Sequence, residues 1–182
     1  VGSTELNTPI IESSYERVLD ILQEQFATHD FLLGDRPGRG DFGIYGQFTQ
    51  LVKWDPTSMA VATKRAIKTI NWTDRMDDLS WLPVEGDDGW VSLEALPPAT
   101  HKMLEEIGRT YAPFMVANAQ ALMSGADEAV CEIDGQTYRQ GPFAYQGKCL
   151  KWLRDEYTSL SNTDRTRVDA ALDGTGCEVL FA

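Results

Sequence analysis

The chain has few cations, few histidines, few cysteines and no long apolar run, and each shortage removes a class of function. Its 182 residues carry 16 Lys and Arg against 28 Asp and Glu, a formal net charge of −12. A surface of that sign repels phosphate backbones and anionic lipid headgroups, so neither nucleic acid nor membrane is an expected partner. An acidic surface that keeps the protein dissolved is the plain reading. No stretch approaches the roughly 20 apolar residues of a membrane-spanning helix. The histidines, His29 and His101, lie far apart. Neither has a Cys, Asp or His at metal-ligand spacing, so no metal site is expected. Cys131, Cys149 and Cys177 are odd in number and include no C-x-x-C pair, which suits a reducing cytoplasm better than a disulfide scaffold. No Ser or Cys stands in a nucleophile signature such as G-x-S-x-G, so no catalytic residue is assigned. Cys149 falls on an apolar helical stripe and reads as an inert core thiol, while Cys177, near the end, is the better candidate for a reactive one.

What is present is punctuation. Phe31 to Phe48 reads as an apolar helix exit, a tight turn, a helix start and a helix. Gly34 to Pro37 supply turn chemistry. Gly38 occupies the N-cap position and Asp41 stands three residues later, where a carboxylate can accept the N-cap backbone N–H and faces the positive end of the helix dipole. Gly40, Gly43 and Gly46 recur every third residue inside the new helix. Each costs up to about 1 kcal/mol of helix propensity, and the pattern predicts a face that another backbone approaches closely. Gly38 to Gly43 also spells G-x-G-x-x-G, the dinucleotide fingerprint. Asp35 and Pro37 precede it in place of a strand, Asp41 would oppose a pyrophosphate, and no acid lies about 20 residues on. Arg39-Gly40-Asp41 spells an adhesion tripeptide, but inside a helical first turn this is coincidence.

Apolar periodicity places a first helix over about residues 11–29, with Ser13 and Glu16 as a capping box and Tyr15, Val18, Leu19, Leu22 and Phe26 on one face. The glycine-punctuated helix spans about 38–53. Asp55-Pro56 opens another to about Lys68, and Thr69, Trp72, Met76 and Leu79 continue a stripe to about Ser80. Residues 82–97 are irregular, with Asp77, Asp78, Asp87 and Asp88 as solvated surface. A helix over about 99–123 carries Leu104, Ile107, Tyr111, Met115, Asn118 and Leu122 on one face and is kinked by Pro113. Asp134-Gly135 between Val130 and Tyr138 signals a β-hairpin. Pro142 opens a helix, Ser161 and Asp164 cap a last one, and Gly174 to Gly176 ends it. The apolar tail Cys177 to Phe181 is expected to fold back. The sum is an all-α bundle with one small hairpin, of a length that suits one domain.

Trp72, Met76, Tyr111, Met115 and Asn118 mark the place for a substrate pocket, because the Pro113 kink frees a carbonyl near Arg109 and opens a gap. Asn118, polar on an apolar stripe, presents a hydrogen-bond group to a ligand or satisfies buried backbone groups. The Trp and Met stripe serves equally as core.

Phe31, Leu32, Gly34, Pro37, Asp41 and Phe42 resemble the start of the central buried helix in the C-terminal domain of soluble glutathione transferases, where the pattern is roughly F-L-x-G-x-x-P-[ST]-x-A-D-[FI]. Gly38 replaces the Ser or Thr and Gly40 the Ala; Gly is an acceptable N-cap, worse than Ser by a few tenths of a kcal/mol. The resemblance covers about residues 11–125, and Gln140 to Leu150 is similar to segments near the C-terminus of longer bacterial relatives. It implies an all-α, glutathione transferase C-terminal-like bundle over residues 11–182, with residues 1–10 a linker from a missing N-terminal region. Val1-Gly2-Ser3-Thr4 reads as a cut inside a longer protein. Gly38 and Asp41 carry over as structural capping residues. The family's thioredoxin-like domain, which binds glutathione and supplies the catalytic residue, has no counterpart here. The resemblance therefore implies the substrate-side half of a transferase that joins glutathione, as co-substrate, to a small hydrophobic electrophile. Such a chain is inactive alone, needs no cofactor of its own, and belongs to a cytoplasmic parent that forms a homodimer in many relatives. A non-catalytic dimerisation or protein-binding module of the same fold is the alternative, and a self-contained enzyme using Tyr111 and Asn118 is a third.

Overall fold

The structure, a computed structural model, describes residues 2–83, 86 and 88–182. The reading of Asp87 as solvated surface lies outside the described residues. The described chain is mostly helical, with one two-stranded antiparallel hairpin. In order come α1 (Thr8–Gln25), α2 (Arg39–Lys53), α3 (Pro56–Arg65), α4 (Ile67–Asp77), α5 (Pro98–Glu106), α6 (Ala112–Ser124), β1 (Ala129–Ile133), β2 (Gln136–Gln140), α7 (Ala144–Ser159) and α8 (Asn162–Leu172). Where the length suggests one domain, the contacts divide the chain into two compact units: a mid-chain unit, Glu16–Thr100, and a terminal unit, Val1–Tyr15 with His101–Ala182.

In the mid-chain unit, Leu19, Leu22, Phe31, Phe48, Val52 and Trp72 are buried. Phe26 stacks on Trp72 with ring centroids 4.8 Å apart. Asp55 caps α3 by accepting the backbone N–H groups of Thr57 and Ser58, each at 2.9 Å, and Pro56 comes next, where its missing N–H costs nothing. The expected run to Lys68 breaks instead at Ala66, which leaves helical geometry with φ −143°. There the Lys68 N–H bonds Gln23 Oε1 at 2.9 Å, so a side chain supplies what the helix start lacks.

The glycine pattern of α2 does not do what its spacing predicts. A Cβ at Gly43 or Gly46 would meet nothing within 4 Å, and one at Gly40 only the Leu32 side chain at 3.4 Å. The close backbone approach in this unit is at Gly34, with φ +124°. The Asp35 N–H bonds the Gly89 carbonyl at 2.7 Å and the Val91 N–H bonds that of Leu33 at 2.9 Å, so a side chain on Gly34 would overlap the Gly89 carbonyl.

In the terminal unit, helix starts three residues before the expected position. The Thr4 carbonyl accepts the Thr8 N–H at 2.8 Å, whereas the Ser13 hydroxyl donates to the Ile10 carbonyl within the helix and caps nothing. Asn7, fully buried, donates to the Arg139 carbonyl at 2.8 Å and accepts the Arg139 N–H at 3.3 Å. The segment read as a linker is thereby pinned to the hairpin. Asp134 and Gly135 both take positive φ, 53° and 71°, the pair of left-handed residues that a two-residue hairpin turn needs. Ser161 caps α8 through the Asp164 N–H at 3.1 Å.

Pro113 disturbs its helix through a π-turn at Ile107–Tyr111, closed by the Ala112 N–H on the Ile107 carbonyl. One inserted residue rotates the downstream side chains by about 100° relative to a regular helix. Ala112 therefore joins Met115, buried as its stripe predicts, in the core with Leu150, Cys177 and Leu180, while Tyr111 and Leu122, expected on the same face as Met115, are half exposed. The tail does fold back. Cys177 is buried, and its thiol donates to the Leu104 carbonyl at 3.1 Å. In an unbroken α-helix that carbonyl would accept the Gly108 N–H. A Cβ on Gly108 would lie 2.8 Å from the Gly176 Cα and would overlap the Thr175 carbonyl.

These two kinds of glycine predict opposite outcomes in urea unfolding. Gly43→Ala and Gly46→Ala each stabilise the chain by about 0.5–1 kcal/mol. Gly108→Ala destabilises it by roughly 2 kcal/mol, because the terminal segment must move off the π-turn.

Candidate functional site

The Gly38–Asp41 start of α2 is built by one carboxylate. Asp41 is buried, and its two oxygens accept the Gly38 N–H at 2.9 Å and the Leu32 N–H at 3.0 Å. The first bond caps the helix and the second closes the turn before it. Burial pushes the Asp41 carboxyl above its ordinary value of 3.8, against the backbone N–H groups and the indole of Trp72, which favour the charged form. The indole N–H has no partner at normal hydrogen-bond geometry, so its contribution is weaker than a formed bond. Gln25 completes the arrangement from α1. Its buried amide donates to the carbonyls of Phe31 and Leu32 at 3.2 and 3.1 Å and accepts the Thr100 hydroxyl at 3.2 Å. Nothing local in the sequence marks Gln25, because its value depends on where the chain returns after the turn.

The five residues read as a pocket fall in different units. Trp72 and Met76 belong to the mid-chain unit and are buried there. Tyr111, Met115 and Asn118 belong to the terminal unit. Met115 packs in its core. Asn118 has no exposed surface, and both ends of its amide are engaged by one residue: Nδ2 donates to the Phe143 carbonyl at 3.1 Å and Oδ1 accepts the Phe143 N–H at 2.7 Å. Of the two roles open to a polar residue on an apolar stripe, this geometry is the structural one, and it fixes the start of α7. Tyr111 alone of the five keeps a large exposed surface, at 44%. Desolvation, then the neighbouring Cys149, hold its hydroxyl above the usual phenol range.

Of the thiols, Cys177 departs from the sequence reading and Cys149 does not. Cys177, expected to be the reactive one, is buried, and desolvation raises its thiol, which lowers the fraction of reactive thiolate. Its place in an apolar segment, next to a glycine that permits close approach, was the available signal. Cys149 is half-buried against the same core.

A cleft of about 360 Å³ in the terminal unit is lined by Tyr157, Asp169, Leu172, Asp173, Glu178 and Phe181. Two of its three acids are engaged: Asp169 accepts the Tyr157 hydroxyl at 2.6 Å and Glu178 accepts the Gly174 N–H at 2.6 Å. The Arg165 guanidinium lies 5.3 Å from the Tyr157 ring centroid. The chain thus places its own cation beside this aromatic and acidic wall, which the sequence reading missed because the residues come from three separate segments.

Among the described residues, no group of three His, Cys, Asp or Glu side chains could hold a metal ion. Among the described residues, no helix is long and apolar enough to cross a membrane. No family model, curated protein or solved structure matches the chain.

Replacing Asn118 separates its two roles. Asn118→Ala removes the partner of the Phe143 N–H and leaves the Phe143 carbonyl only the Gly147 N–H at 3.3 Å, and is expected to lower stability by about 2 kcal/mol in urea unfolding. Unchanged stability would return the residue to the ligand-binding role.

Proposed function

We propose that the chain is the substrate-side helical domain of a glutathione transferase-like protein. The observation that carries this reading is the Gly38–Asp41 cap: a buried carboxylate that closes both the first turn of α2 and the turn from Phe31 before it. The sequence resemblance runs through Phe31, Leu32, Gly34, Pro37, Asp41 and Phe42, with Gly38 and Gly40 as its departures. The mostly helical architecture with one hairpin is compatible with it.

In this reading a thioredoxin-like domain outside the sequence holds glutathione and its catalytic residue, and the parent works in the cytoplasm. The glutathione thiolate forms a sulfur–carbon bond to the electrophile, whose displaced electrons leave with the departing group or are quenched by a proton. The helical chain supplies apolar contact and excludes water, which raises the effective concentration of the co-substrate. Tyr111 is the residue best suited to meet a hydrophobic electrophile, since it combines an exposed ring with an anchored backbone. Met115 and Asn118 are buried in the same unit as Tyr111, and Trp72 and Met76 are buried in the mid-chain unit.

Extending the reading frame upstream tests the proposal. The expected result is a thioredoxin-like segment whose product with this chain conjugates glutathione to an aromatic electrophile. Tyr111→Ala should then lower kcat/KM for the electrophile by about tenfold. An upstream segment without that fold, or a complete protein with no conjugating activity, would sink it.

A further inference from the structure

The first turns of α7 expose more aromatic surface than any other short segment of the terminal unit. Phe143, Tyr145 and Trp152 are 48%, 57% and 54% exposed. They touch one another: the Phe143 and Tyr145 centroids are 6.4 Å apart, and Tyr145 meets Trp152 edge-on at 6.2 Å. Contiguous exposed aromatics on a soluble surface mark an interaction site more often than scattered apolar residues do, and Trp and Tyr dominate binding energy where they occur. The patch is also held in place. Asn118 grips Phe143 from both sides of its peptide.

The electrostatics of this face oppose those of the whole chain. From Gln136 to Arg154 the sequence has Arg139, Lys148, Lys151 and Arg154 and no Asp or Glu. Arg139 faces Glu128, Lys151 closes on Asp155, and Arg154 donates to the Leu180 carbonyl. Lys148 is exposed, lies between Tyr145 and Trp152 along the helix, and makes no ion pair or hydrogen bond among the described residues. The N-terminus of α7 adds to its charge, because no side chain caps the first turn and no acid stands in it. A chain of net charge −12 thus places an unpaired lysine among these rings, and the acids of α7, Asp155 and Glu156, stand only beyond Trp152, Asp155 being paired with Lys151. Nucleic acid and anionic lipid would meet the repulsion of the remaining surface, whereas a short acidic segment would contact this face alone.

We propose that the Phe143–Trp152 face of α7 docks an acidic protein segment carrying apolar side chains. The aromatic rings bury the partner's apolar residues, while Lys148 and the helix N-terminus select its carboxylates. The inference does not depend on the thiol-transfer reading, since every group it uses lies in the terminal unit.

The test is selection of a random peptide display library on the 182-residue chain, followed by fluorescence anisotropy of the enriched peptides. Enriched sequences should combine Asp or Glu with Trp, Phe or Leu. Their affinity should fall about tenfold with Trp152→Ala and by a similar factor with Lys148→Glu, with thermal melting unchanged because both side chains are exposed. Failure to enrich any peptide, enrichment of basic or charge-neutral peptides, or affinity unmoved by both substitutions would overturn the proposal. So would a dimer in sedimentation that Trp152→Ala dissolves, because the face would then belong to a second copy of this chain.

Discussion

The carboxylate of Asp41 is the constraint on which the mid-chain unit depends. Burying a charge is costly unless hydrogen bonds replace its water, and here they come from the Leu32 and Gly38 backbone. The same bonds relieve the chain of two stranded N–H groups. Gln25 supplies the converse service by donating to the carbonyls of Phe31 and Leu32. The turn between α1 and α2 is therefore clamped on donors and acceptors alike by two buried side chains from the helices that it joins. Trp72 closes over the arrangement from α4, with Phe26 stacked on its ring.

The terminal unit answers the same need in a different way. Its irregular point is the π-turn before Pro113, and the groups there are met by a thiol and by close backbone approach. The Cys177 thiol donates to the Leu104 carbonyl, and Gly108 and Gly176 lie too close for a side chain on either of them to fit easily. Asn118 then carries order from α6 into the start of α7. Both units thus use single buried polar side chains at helix ends, where backbone groups lack helical partners.

What was legible in the sequence was local. The Gly38–Asp41 cap, Asp55-Pro56, Asp134-Gly135 and Ser161–Asp164 are rules about residues two or three apart, and each appears as a formed cap or turn. What failed depended on residues far apart. Ser13 and Glu16 had the spacing of a cap, but Thr4 and Asn7 begin α1 earlier because Asn7 meets Arg139 across the unit. The spacing of Gly40, Gly43 and Gly46 suggested a close approach that occurs instead at Gly34 and Gly108. The apolar stripe through Tyr111 and Leu122 lost its phase at the π-turn, which no periodicity count anticipates. Asn118 was legible as an exception on its stripe; that Phe143 would take both ends of its amide was not.

These observations give a helical chain whose turns and helix ends are anchored by buried polar side chains. The central functional claim is that any thiol site lies in a partner domain. Calorimetric titration of glutathione into the 182-residue chain tests this most directly. No saturable heat is expected at millimolar ligand. Saturable one-to-one binding would contradict the claim, because the helical chain would then hold its own thiol or anion site.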